Sequence, residues 1–153
     1  MTVRHLTRGE RALAASIFAS SIDYDPVTVR RRKWFPLQPR NALMAPTGHI
    51  FAHPQSDLWS EDYSREAIGM QALFVHEMTH VWQTQTRGKL YLPLMRHPFC
   101  RYCYSLRPGW RFGDYGIEQQ AEIVRHLFLL REGRTAPGAP AIDELERLIP
   151  FGG

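Results

Sequence analysis

The sequence predicts an α+β domain in which a small twisted β-sheet packs on two long helices. Three observations predict it. An apolar stretch of helical spacing surrounds His76-Glu77-Met78-Thr79-His80, a second helical pattern covers residues 117–131, and residues 27–29 and 47–54 have the character of strands. At 153 residues the chain reads as one domain, residues 1–153, long enough to bury a core without staples. Its 44% apolar and 22% charged content excludes a disordered or fibrous class. No apolar run approaches the roughly 18–20 residues that cross a bilayer, so no membrane partner is expected. Residues 1–10 lack the apolar core and cleavage site of a signal peptide, which predicts a chain that starts in the cytoplasm.

Taken in order, residues 7–20 read as the first helix. Thr7 with Glu10 three residues on is a capping-box pattern, and Ala12, Leu13, Ala15, Ile17 and Phe18 supply an apolar side. Asp23-Tyr24-Asp25-Pro26 is turn chemistry. Val27-Thr28-Val29 begins a strand that runs into Arg30, Arg31, Arg32 and Lys33, and residues 34–46 hold prolines that predict an irregular loop. Thr47-Gly48-His49 opens a second strand, with His49, Phe51 and His53 on one face. Such a strand, if it lies at a sheet edge, is suited to holding an extended peptide. The central helix is expected to begin near residues 60–64 and to run to Arg87, with Gly88 placed to end it. Residues 99–106 and 110–112, joined by Arg107-Pro108-Gly109, read as a β-hairpin. After the helix at 117–131, residues 133–140 are a Gly/Pro/Ala linker, and a short helix covers 142–148.

The net charge of +4 and pI near 9.4 are mildly basic. A single run of four cations followed by Trp34 falls short of a nucleic-acid surface. It reads as a solvated strand end suited to an acidic partner. Cys100 and Cys103 are spaced C-x-x-C, but residues three apart on a strand face opposite sides, so they read as incidental thiols.

The chemistry gathers at residues 76–80. Residues four apart on a helix share a face, so His76 and His80 can direct their imidazoles at one metal ion, with Glu77 beside them. Zinc takes such nitrogen ligands, and a catalytic zinc adds one further protein ligand and a water for which Glu77 would be the general base. The same register can arise by chance on an amphipathic helix. The surrounding Ala72, Leu73, Val75, Met78 and Val81 bury this one, however, and a buried imidazole without a partner costs about 1–3 kcal/mol. Gln83 falls near the same face. Candidates for the third ligand are His97, Cys100, Cys103, Glu118, Glu122 and His126. Glu118 is preferred, because Glu122 one turn later can accept a hydrogen bond from the far nitrogen of a ligand histidine. Read alone, Glu118 to Glu122 is also an ordinary solvated helix face.

His76-Glu77-x-x-His80 followed by Glu118-x-x-Ala121-Glu122 resembles the gluzincin branch of the zincin metallopeptidases, with Glu122 where that branch usually carries Asp. His76 to Gln83, Tyr102-x-Tyr104, and Phe112-x-Asp114-Tyr115-x-x-Glu118 to Val124 are further similar to small bacterial Vgr-related proteins. These are metallopeptidase-like domains found with type VI and related contractile injection systems. Leu6-Thr7-x-Gly9-Glu10 and Ile22-Asp23-Tyr24-x-x-Val27 extend the likeness, which covers the chain to about residue 132. The resemblance implies a minimal zincin-like fold. It further implies zinc held by His76, His80 and Glu118, a peptide or protein substrate, secretion-apparatus partners and export by such a system. Tyr115 is the expected donor to the developing oxyanion, with His97 or His49 behind it; Tyr115 also reads as a packing aromatic. The alternative function is a zinc-binding adaptor or cargo protein with little or no peptidase activity; residues 133–153 read either as a tail lying across the cleft or as a surface helix.

Overall fold

The computed structural model describes residues 2–95 and 101–152. Its sheet has four strands, and the first is one that the residue pattern does not announce. β1 (Thr2–His5) pairs antiparallel with β2 (Thr28–Arg31), Arg4 lying opposite Val29. β2 runs parallel to β4 (Ile50–Ala52), and β3 (Leu43–Met44) closes the order β1-β2-β4-β3. β4 is therefore an interior strand with ladder partners on both sides, which corrects the expectation of a peptide-holding edge at residues 47–54. The reason is burial: Ile50, Phe51 and Ala52 are all inside. Two cations of the basic run lie over aromatic rings, Arg30 on Phe51 and Arg31 on Trp59.

α1 (Arg8–Phe18) starts on the Thr7–Glu10 capping box. The Glu10 amide donates to Thr7 Oγ1 at 3.0 Å, and the Thr7 amide donates back to Glu10 Oε1 at 2.9 Å. Glu10 does more than cap. It is fully buried, and its carboxylate accepts a two-pronged pair of bonds from Arg4 of β1, at 2.8 and 2.9 Å, and one from the Tyr63 amide at 2.8 Å. One carboxylate thus joins the first strand, the first helix and the approach to the central helix. Gly9 is required beside it, because a Cβ there would collide with the Ser64 hydroxyl.

The central helix, α2 (Ile68–Arg87), begins later than the sequence suggests. Asp62 caps a single 3₁₀ turn over Tyr63–Arg65 by accepting from the Ser64 amide at 3.0 Å, and Glu66 then returns to extended backbone. The start is therefore displaced to Ile68 by local side-chain capping that competes with helix. Gly88 ends α2 at φ +99°, its amide donating to the Thr84 carbonyl at 2.7 Å. A short α3 (Tyr91–Met95) follows, with Pro93 in its first turn, where the missing amide is not needed.

Residues 99–112 do not form the expected hairpin among the described residues. The turn exists, with Trp110 donating to the Arg107 carbonyl at 3.1 Å and Gly109 at φ +80°. Its flanks carry no ladder, and Phe112–Asp114 is a 3₁₀ turn. The alternating aromatics serve the helices instead: Tyr102 stacks on His76, Tyr104 bonds His126, and the Cys103 carbonyl accepts from Gln119 at 2.8 Å. Phe99 and Cys100 lie outside the described residues.

α4 (Ile117–Arg131) packs along α2, and α5 (Ile142–Leu148) packs on α4 through buried Leu145 and an Arg131–Glu146 ion pair at 2.7 Å. Beyond α5, Phe151 enters the core, its ring 4.7 Å from Phe18, 5.0 Å from Trp82 and 5.6 Å from Phe112. Phe151 is thus part of the core that supports α2. Among the described residues no helix is long and apolar enough to cross a membrane.

Two outcomes follow from this packing. Glu10→Ala removes the carboxylate from the Arg4 guanidinium, leaving it the Ser60 and His5 carbonyls, and is expected to lower unfolding free energy by about 3–5 kcal/mol in urea titration. Phe151→Ala opens a cavity between three rings and is expected to cost about 3–5 kcal/mol in the same measurement.

Candidate metal centre

α2 and α4 each bring their polar residues to the face they share. His76, Glu77 and His80 of α2 are buried at 7%, 4% and 4% exposure, and Glu118 of α4 at 2%. Glu118 Oε1 lies 3.1 Å from His76 Nε2 and 2.8 Å from His80 Nε2, so one carboxylate oxygen faces both ring nitrogens. One donor atom from each residue falls within 4.8 Å of the others. The two rings stand nearly perpendicular, at 77°, with centroids 5.1 Å apart.

The far side of each ring is occupied as well. His76 Nδ1 lies 2.9 Å from Glu122 Oε2, and His80 Nδ1 lies 2.8 Å from Gln83 Oε1. Both partners accept hydrogen bonds, which places a proton on each Nδ1 and turns each Nε2 toward Glu118; deprotonated there, each ring offers a metal its Nε2 lone pair. Two neutral imidazoles and a carboxylate are the donor set that zinc takes at about 2.0–2.2 Å, with tetrahedral ligands about 3.3 Å apart. The two nitrogen–oxygen spacings, 3.1 and 2.8 Å, are a few tenths of an ångström shorter than that, and all three donor atoms lie within 4.8 Å of one another, so a small outward shift of Glu118 would admit the ion.

The electrostatics have the same organisation. Burial by itself would push His76 down, but hydrogen bonds to Glu118 and Glu122 outweigh it and carry the imidazole up to about 10. Burial pushes both carboxyl groups up, and the histidine bonds reverse this, holding Glu118 and Glu122 well below the usual carboxylate range. Arg125 contributes to the second of these, donating through Nε and Nη2 to the two Glu122 oxygens at 2.7 and 2.9 Å. Glu122, clamped by Arg125, is thus held against His76 Nδ1.

The other residues singled out from the sequence lie elsewhere. His49 Nδ1 accepts from the Thr28 amide at 3.2 Å, His53 Nδ1 accepts from the Gln55 amide, and His126 Nδ1 meets the Tyr104 hydroxyl at 2.7 Å. Cys103 is an exposed free thiol. His97 and Cys100 lie outside the described residues. Tyr115 is buried, its hydroxyl accepting from the Arg107 amide at 2.9 Å and its ring edge-on to Trp110. The tyrosine seen at the histidines is Tyr102, stacked on His76 with centroids 6.1 Å apart.

No family model matches the chain. Over 133 residues it is 41% identical to the type VI secretion system spike protein VgrG2b of Pseudomonas aeruginosa, a match covering 82% of this chain and 13% of that protein. The solved effector domain of Pseudomonas aeruginosa VgrG2b superposes with a TM-score of 0.78 at 36% identity, over 95% of this chain and 82% of that domain. The chain belongs to the VgrG2b effector-domain family. It spans about an eighth of the whole VgrG2b spike protein. For this VgrG2b-family domain, two contributors to the site escape a reading of the sequence. Arg125 had a signal, its i,i+3 spacing from Glu122 on one helix. Tyr102 stood in the Tyr102-x-Tyr104 motif, but its place over His76 had no signal, since it arrives from an irregular segment whose path only the tertiary structure determines.

Proposed function

We propose that this VgrG2b-family chain is a zinc metallopeptidase domain of minimal zincin-like fold that works with a type VI or related contractile secretion system. The observation that carries the enzymatic reading is the convergence of His76 Nε2, His80 Nε2 and a Glu118 oxygen, with Glu77 buried alongside. The secretion reading is supported by the likeness to a type VI secretion spike protein and its effector domain.

His76, His80 and Glu118 would hold the ion. When bound, zinc would supply Lewis acidity, polarising a scissile carbonyl and acidifying a water. Glu77 takes the proton of the attacking water on its carboxylate and delivers it to the leaving amine nitrogen. Glu77 is buried beside His76 and helps raise its imidazole. Glu122 and Gln83 hold the far nitrogens of the two rings. A tyrosine hydroxyl donates to the oxyanion that develops on the substrate. Tyr102, which lies over His76, is the candidate that the geometry favours; Tyr115 also keeps a hydroxyl proton to give, but its hydroxyl accepts from the Arg107 amide away from the histidines.

Purified wild type and Glu77→Gln are both expected to carry one zinc per chain by metal analysis. Cleavage in a peptide-library digest is expected to fall by about 10²–10⁴-fold in the variant. Zinc in both proteins with cleavage in neither indicates an adaptor, and absence of zinc from the wild type refutes the site. Tyr102→Phe and Tyr115→Phe separate the two donors: the one that serves the oxyanion is expected to lose about 10²–10³-fold in kcat with zinc content unchanged.

A further inference from the structure

Two glutamines lie between α2 and α4 where packing alone gives them no purpose. Gln83 is 2% exposed and Gln120 is 5% exposed. Leucine or methionine would fill such positions with no polar atoms to satisfy. Their hydrogen bonds run in one direction. The Tyr115 carbonyl can only accept, and it takes the Gln120 Nε2–H at 2.8 Å, which turns Gln120 Oε1 toward Gln83. The Ile117 carbonyl likewise only accepts, and it takes a Gln83 Nε2–H at 3.0 Å, while Gln120 Oε1 takes the other at 2.9 Å. Both N–H groups of Gln83 are thereby committed, and its Oε1 faces His80 Nδ1. A flipped Gln83 would set its oxygen against two acceptors and an N–H against the ring N–H. The amide orientation at His80 is thus decided by two backbone carbonyls at the start of α4.

We infer that Gln83, oriented by Gln120 and the carbonyls of Tyr115 and Ile117, is a positioning residue that keeps His80 in its Nδ1–H tautomer and so aims the Nε2 lone pair at the metal. The inference rests on the zinc reading given above. The two histidines are then held by different devices. His76 is backed by a carboxylate clamped by Arg125, whereas His80 is backed by a neutral amide that adds no charge to the interface. The arrangement also couples the ligands. The Ile117 carbonyl that orients Gln83 immediately precedes Glu118, so the geometry of the α4 ligand and the tautomer of the α2 ligand are set by the same turn of backbone.

The test is zinc affinity, measured by competition with a chelating dye, for the full chain and two variants. Gln83→Met removes the acceptor and is expected to weaken zinc by about 10–100-fold. Gln83→Glu keeps an oxygen for the Nδ1–H and, in its protonated form, one O–H for the Ile117 carbonyl, and is expected to recover affinity to within about threefold of wild type. A glutamine that merely packs would weaken zinc equally in both variants or in neither, and either result overturns the inference. In zinc-loaded wild type the His80 Nδ1–H is expected as a slowly exchanging one-bond proton–nitrogen correlation that Gln83→Met loses. Persistence of that signal in Gln83→Met also overturns it. A wild type that binds no zinc removes the metal reading itself, a failure distinct from equal affinities in all three proteins.

Discussion

Glu118 Oε1 stands 3.1 Å from one imidazole nitrogen and 2.8 Å from another, in an interface where all three residues are less than a tenth exposed. Removing such groups from water costs several kcal/mol per ion, and their mutual attraction offsets this only when geometry and further hydrogen bonds are good. Much of the α2–α4 interface is arranged to meet that condition. Glu122 and Gln83 serve the outer ring nitrogens, Arg125 serves Glu122, and Gln120 serves Gln83. Polar groups that would each be a liability alone form a connected set. A metal ion fits the centre of that set because all three inner donors already point there.

The rest of the fold keeps α2 in place at both ends. Ahead of its first turn, the Arg4–Glu10 pair receives the Tyr63 amide, and the Tyr63 ring stacks on Phe74 of α2 at 5.6 Å. Near its last turn, Trp82 meets Phe112 and Phe151. His76 and His80 lie between these two anchors. The strands and the C-terminal segment therefore bear on the site without contributing a ligand to it, by fixing how α2 presents its polar face to α4.

Much of this is legible in the sequence where the signal is local. The HExxH register, the Thr7–Glu10 capping box, Gly88 as a stop and the bounds of α4 and α5 all depend on residues a few positions apart, and the structure has each of them. What is not legible depends on long-range choices. β1 is polar and short, and becomes a strand because Arg4 must reach Glu10 while its backbone pairs with Val29. Residues 101–106 alternate as a hairpin arm would, yet their aromatics are taken by His76 and His126 across the fold. The interior position of β4 follows from β3, a two-residue strand inside a stretch that reads as loop. The juxtaposition of Glu118 with the two histidines is an intermediate case. Each helix is evident alone, and chemistry rather than periodicity says that their polar faces should meet.

The central claim is that His76, His80 and Glu118 together hold one metal ion, and X-ray absorption at the zinc edge on the purified chain tests it most directly. The account predicts one zinc per chain, with two imidazole nitrogens and oxygen scatterers at about 2.0–2.2 Å and no sulfur. A sulfur shell near 2.3 Å would move the metal to the cysteines and contradict it, as would a chain that retains no zinc.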